Sequence, residues 1–222
     1  MPTEFAPADP LIDALIADLG PVKPRRWTHE AGLLLGLMLA ELLLFVMLRD
    51  MRPDMPEAMM APAFMWKTGS LALVALLGGA AVLVSLDPAT TTPHRLSALW
   101  RALGFAAPAA LALGWAIDAG ASGGTALLAR LDWRDGVDCL VNVALLSLPM
   151  VLALGVLMRR GAPTQPARTA AAAGLAAAGF GAFVFAFHCN HDDPFYVAVW
   201  YGGAVAAVAT LARIILPRFA RW

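Results

Sequence analysis

The chain has 222 residues, 60% of them hydrophobic and 14% charged, and its mean hydropathy is +0.69. Soluble domains run at about 45–50% apolar and about 25% charged, so a soluble enzyme, an extracellular disulfide module and a disordered chain are excluded. The 16 Lys and Arg balance 16 Asp and Glu, which leaves no basic excess for direct nucleic-acid binding. Two cysteines are too few for a disulfide scaffold but sufficient for one bond or one small metal site.

The first element is a short amphipathic helix in Asp9 to Pro21, DPLIDALIADLGP. Asp9 is a good N-cap and Pro10 suits the first helical position. Leu11, Ile12, Leu15, Ile16 and Leu19 recur at helical spacing on one face, and Gly20 with Pro21 ends the helix. A helix this short is marginal alone in water, so its apolar face needs a surface. Either it lies on the bilayer or the bundle, or it docks into a groove of a soluble protein. Its polar positions, Asp13 and Asp18, are acidic, whereas helices lying in the membrane interface favour Lys and Arg.

Six stretches then reach the length needed to span a bilayer, about 17–25 residues. They are residues 31–48, 69–86, 102–117, 137–158, 170–187 and 196–216. The expected fold is all-α: a polytopic membrane protein with a six-helix bundle over 31–216, a cytoplasmic segment 1–30 and a tail 217–222. The first 30 residues show no basic start followed by an apolar run, so no cleavable leader is expected. With the N-terminus inside, eleven Lys and Arg fall on the cytoplasmic side and five, Lys67 among them, on the outer side. The positive-inside rule then puts both termini in the cytoplasm.

Nucleotide-binding loops, metallohydrolase motifs and nucleophile elbows do not occur. Gly179 and Gly181 lie inside a span and denote packing, as does the small-residue stripe Ala170, Gly174, Ala178 and Ala182 on the fifth span. Pro108 and Pro149 fall inside spans three and four, where bends are commonplace. Tryptophans at 66, 100, 115, 133, 200 and 222 lie near span ends, as an aromatic belt does. Met51, Met55, Met59, Met60 and Met65 crowd the first outer loop, which reads as a lid packed on the bundle.

Glu41 is the one ionisable residue deep in a predicted span, and such groups mark function by default. The bland alternative is a protonated glutamate bonded within the bundle, to Asn142 or Ser147. Cys139 and Cys189 each lie 19 residues from the inner edge of spans four and five, or about 28 Å along a helix. A short inner loop makes these two spans an antiparallel hairpin, so both cysteines sit at one height on neighbouring helices. A redox pair is one reading, and two separately packed small hydrophobes is another. Metal capture is a third: Cys189 lies in FHCNHDD, so Cys139, Cys189, His188, His191 and Asp192 offer thiolate, imidazole and carboxylate donors. Asp135 and Asp138 stand ready to complete such a site from the neighbouring helix.

The ordered set of features resembles a known family, the NrsF-type (negative regulator of sigma F) integral-membrane anti-sigma factors. The matching stretches are Leu11–Ile12 through Leu19–Val22 before a basic patch, Phe64–Lys67, Asp138–Cys139, Ala186–Cys189, Trp200–Gly202 and Arg221–Trp222. The resemblance implies a regulator without catalytic activity in the bacterial inner membrane, holding an extracytoplasmic-function sigma factor. It implies Cys139 and Cys189 as the pair that senses metal or oxidative stress. It also implies Leu11, Ile12, Leu15, Ile16, Leu19, Val22, Arg25 and Arg26 as the sigma contact, with Lys23 beside them. No resident cofactor is expected beyond a transient metal ion at the cysteines. Two readings compete: a small transporter using Glu41 and the outer His/Asp cluster, and a membrane thiol-redox enzyme. The first lacks inverted repeat halves, and the second lacks a relay cysteine pair.

Overall fold

The computed structural model describes residues 10–18, 26–87, 93–121 and 130–219. These form helices joined by short connections, with no strand among the described residues. The helices are α1 (Pro10–Ala17), α2 (Trp27–Leu48), α3 (Pro62–Ser85), α4 (Pro93–Ala121), α5 (Trp133–Arg160), α6 (Pro166–Ala186) and α7 (Pro194–Phe219). The last six are each long and apolar enough to cross a membrane, in agreement with the six expected spans.

Each of these six begins earlier than hydropathy predicts. Five of the described helices start on a proline: Pro10, Pro62, Pro93, Pro166 and Pro194. Proline fits there because the first-turn N–H has no partner and φ is already helical. Asp193 adds a cap to α7, its Oδ1 accepting from the amides of Phe195 at 2.8 Å and Tyr196 at 3.1 Å. The consequence at α3 matters most. Lys67, expected in the outer loop, lies inside the helix and is wholly buried.

Helix α6 runs through the centre, against α3, α5 and α7. Its stripe of Ala170, Gly174, Ala178 and Ala182 is buried as expected, but so are Ala172, Ala173, Ala176 and Ala177 on its other sides. Small residues let backbones approach closely where lipid supplies no hydrophobic drive between helices. A Cβ on Gly174 would lie 2.5 Å from Ala209 Cα of α7, and one on Gly179 would lie 2.9 Å from the Ala75 amide of α3. One on Gly181 would lie 2.9 Å from the Ser147 amide of α5. In contrast, α2 packs mainly on α5 and leaves an apolar face of Leu35, Leu39, Leu43 and Met47 exposed.

Two apolar cores stack along the bundle. One gathers Val82, Leu154, Met158, Ala173 and Leu216. The other gathers Trp66, Val143, Phe185, Tyr196, Tyr201 and both cysteines. Two expectations change here. Met51, Met59, Met60 and Met65 are exposed rather than packed as a lid, because Arg52, not methionine, anchors that loop. Trp66 and Trp200 are buried instead of belted: Trp66 Nε1 donates to Ala110 O and Trp200 Nε1 to Leu131 O, each at 2.7 Å.

Candidate functional site

The site lies at the end of the bundle that carries residues 187–193, between α6 and α7. Cys139, on the first turns of α5, and Cys189, just beyond α6, are free thiols, 1% and 8% exposed. They lie against each other within one buried cluster. The equal-height expectation for the hairpin is therefore met in space. The neighbouring Cys139 thiol, together with the charge of Lys67, holds the Cys189 thiol below the ordinary thiol range, while burial opposes the shift.

Three cations clamp the 187–193 segment. Lys67 Nζ donates to Asp192 Oδ1 at 2.7 Å, to His191 O at 3.0 Å and to Cys189 O at 3.2 Å. Arg52 donates through Nη1 to Asp192 Oδ2 at 2.7 Å, and its backbone amide reaches Phe187 O at 3.1 Å. Its other edge grips Asp54 at 2.6 and 2.7 Å, which holds the Asp54 carboxyl below the usual carboxylate range. Arg130 pairs with Asp118 and Asp193. Both oxygens of Asp192 are thus spent on cations. Its expected role as a metal ligand gives way to holding Cys189 in place.

The aromatic wall comes from α7. Residues Val197–Tyr201 form a π-turn, a feature that often marks functional positions. At about 4.4 residues per π-helical turn, side chains five apart share a face, which an ordinary α-helix with 3.6 per turn would separate. Tyr196 and Tyr201 are five apart, both wholly buried, and both border the thiols. Neither hydroxyl has a well-formed hydrogen bond among the described groups. Lys67 Nζ sits 5.3 Å from the Tyr201 ring centroid, within cation–π reach.

A cavity of about 250 Å³ opens onto the pair, lined by Cys139, Cys189, Asp135, Asp138, His191 and Tyr196 among others. His188 borders it too, but its Nδ1 donates to Asp50 O at 2.7 Å and its ring packs edge-on against Phe45. His191 stacks on Tyr196 at 4.5 Å, with Nε2 3.0 Å from Asp135 Oδ2.

Glu41 is 9% exposed, and neither carboxyl oxygen has a hydrogen-bond partner among the described residues. Asn142 donates instead to Asp138 O and Ser147 to Val143 O, so neither expected contact forms. Glu41 does line a crevice of about 290 Å³ between α2 and α5, together with Asn142 and Arg49. Both of those residues also border the cysteine cavity.

Of the expected sigma contacts, Ile12 and Ile16 lie on α1 and are 52% and 58% exposed. Leu11 and Leu15 belong to the same helix, and Arg26 is exposed just ahead of α2. Leu19, Val22 and Arg25 lie outside the described residues, as do the Asp9 cap and the Gly20–Pro21 stop. Lys67, Arg52, Tyr196 and Tyr201 were not singled out from sequence as site residues. The available signal for Lys67 was a proline at position 62 followed by an unbroken helical run.

The family model described as negative regulator of sigma F matches residues 15–222. An anti-sigma-F factor NrsF of Caulobacter vibrioides (strain NA1000 / CB15N) is 34% identical over 220 residues, covering 96% of this chain and 99% of that protein. A probable anti-sigma-F factor NrsF of Azospira oryzae is 29% identical over 214 residues, covering 96% and 98%. No solved structure matches this chain.

Proposed function

The chain belongs to the negative regulator of sigma F family, and on that premise we propose that it is a membrane-bound anti-sigma factor whose thiol pair governs release of its partner. The partner is an extracytoplasmic-function sigma factor, held on the cytoplasmic side through α1 and the residues that follow it. The exposed Ile12 and Ile16 support that docking role. The eleven-to-five bias of basic residues supports both termini in the cytoplasm and the cysteines on the periplasmic side of the inner membrane.

One observation carries the sensing half: the chain's two cysteines, 50 positions apart, are buried together on different elements. A two-electron oxidant, hydrogen peroxide, takes two electrons and two protons from the thiols. One S–S bond forms, and the peroxide leaves as two waters. The bond ties α5 to the segment that Lys67 and Arg52 hold, and so re-spaces α5, α6 and α3. A swing from 1:99 to 99:1 takes about 5.5 kcal/mol of differential affinity, and a disulfide supplies energy of that order.

The test is co-purification from unstressed cells in mild detergent, with both thiols checked as reduced. A stoichiometric sigma factor is expected, lost on deleting residues 1–29 and released by oxidant. Release should fail in Cys139→Ser/Cys189→Ser. Absence of any sigma factor overturns the regulatory reading, and normal release by the double variant overturns the sensing half.

A further inference from the structure

The thiol pair and its cation clamp occupy one end of the bundle, and the opposite end is rimmed by arginines. Arg26 precedes α2, Arg95 lies in the first turn of α4, and Arg159 and Arg160 close α5. Arg168 lies in the first turn of α6 and Arg218 in the last turn of α7. All six are exposed, and none pairs with a carboxylate among the described residues. Two acids at this end, Glu30 and Asp87, are already engaged elsewhere. At the thiol end, by contrast, Lys67, Arg52 and Arg130 are all paired.

Two features separate this surface from a ring of cations that merely meets lipid headgroups. Headgroups surround a bundle, whereas Arg159, Arg160 and Arg168 cap the α5–α6 hairpin, and α6 is the central helix, packed by α3, α5 and α7. In addition, a cation in the first turn of a helix stands against the helix dipole. Arg95 and Arg168 both do so, and neither first turn holds an acid. Carboxylates brought by a partner would offset that repulsion, and they match the planar fork of a guanidinium group.

Coupling to the thiols calls for such a contact. An equilibrium shifts only as far as the partner's affinity differs between the two states. Among the described residues α1 shares no substantial packing with α3, α5 or α6, so a partner held by α1 alone would bind both thiol states equally. We infer that the arginine-rimmed end of the bundle is the second half of the sigma contact and takes an acidic surface of the partner. α1 supplies an apolar grip through Ile12 and Ile16, and Arg159, Arg160 and Arg168 supply the part that moves. A displacement of α5 and α6 takes these guanidinium groups out of register with the partner's carboxylates and lowers the affinity. The inference rests on the proposed anti-sigma function and deepens it.

The experiment places the full chain in nanodiscs of neutral phosphatidylcholine and titrates them with the sigma factor recovered by co-purification, from about 50 to 300 mM salt. Arg159→Gln/Arg160→Gln/Arg168→Gln should weaken binding by about tenfold or more and flatten its salt dependence. The affinity that remains should be the same for reduced and oxidised thiols. Arg134→Gln, exposed at the thiol end, should change none of these. If the triple variant fails to fold by gel filtration, Arg95→Gln/Arg218→Gln decides by the same readouts. Unchanged affinity with normal release on oxidation overturns the inference and leaves the proposed function standing. A loss seen only in nanodiscs containing anionic lipid assigns the arginines to headgroups and also overturns it. No binding by the wild type overturns the proposed function itself, and this inference with it.

Discussion

Replacing Lys67 by Met is the sharpest perturbation of the site. Methionine keeps the apolar stem but ends one atom short, so it deletes the ammonium with its contacts to the Phe64 and Tyr201 rings and three hydrogen bonds. Breaking a buried pair by removing one partner costs about 3–5 kcal/mol, whereas an exposed pair is worth about 0–1. Lys67 is fully buried, but the Asp192 side chain is 18% exposed and retains Arg52. The lower end applies, about 3 kcal/mol. Denaturant unfolding in micelles measures the loss, and a cycle with Asp192→Asn isolates the coupling. Hydrogen exchange should show residues 187–193 opening first in Lys67→Met. A loss below about 1 kcal/mol, or additivity with Asp192→Asn to within about 0.5 kcal/mol, would refute the reasoning.

Further predictions follow from packing and charge. Gly174→Ala should cost about 1–3 kcal/mol by forcing α6 from α7, because the new Cβ meets backbone and Ala212. Gly203→Ala, with nothing within 4 Å, should stabilise by about 0.5–1 kcal/mol; equal effects in the same unfolding assay would contradict the close-approach account. Glu41→Leu should raise stability by about 1–3 kcal/mol, since both carboxyl oxygens are buried without hydrogen-bond partners among the described residues, and a destabilised variant would reveal a contact at Glu41. The Asp54 carboxyl is held below its usual range by Arg52, so its contribution is present above the ordinary carboxylate pKa and lost only as pH falls through the lowered value. The small stability gap between wild type and Asp54→Asn should therefore stay level from about pH 8 to 5, begin to shrink only near about pH 4, and vanish once pH is below the lowered value. A gap that fades between about pH 7 and 6 would contradict that pairing.

The six long helices and the meeting of Cys139 with Cys189 were legible because they depend on hydropathy and rise per residue, which are local. Lys67 was not. A charged side chain lowers the hydropathy of every window that includes it, so the span seemed to begin at Gly69 although α3 starts at Pro62. Asp192 misled for another reason. Its partners Lys67 and Arg52 lie 125 and 140 positions away, and nothing local distinguishes a carboxylate that meets cations from one that meets a metal. The π-turn was hidden as well, since it arises from the fit of Tyr196, Trp200 and Tyr201 into a core built by other helices.

The composition of α6 has a mechanical consequence. Alanine and glycine have no rotamers to change, so their burial freezes almost no side-chain entropy. By the same fact the alanine and glycine positions of the helix offer no side-chain slack with which to absorb a push, and rotamer freedom between Ala170 and Ala186 is confined to Leu175 and to the Phe and Val residues of 180–185. From Ala186 beside the cysteine segment to Thr169, whose hydroxyl donates to Ser85 at 3.0 Å, the distance is about 26 Å at 1.5 Å per residue. Over the stretch from Ala170 to Gly179, where Leu175 is the one larger side chain, a displacement applied at one end would find few rotamers in which to dissipate. The helix would then move as a rod and carry the push to the Ser85–Thr169 contact.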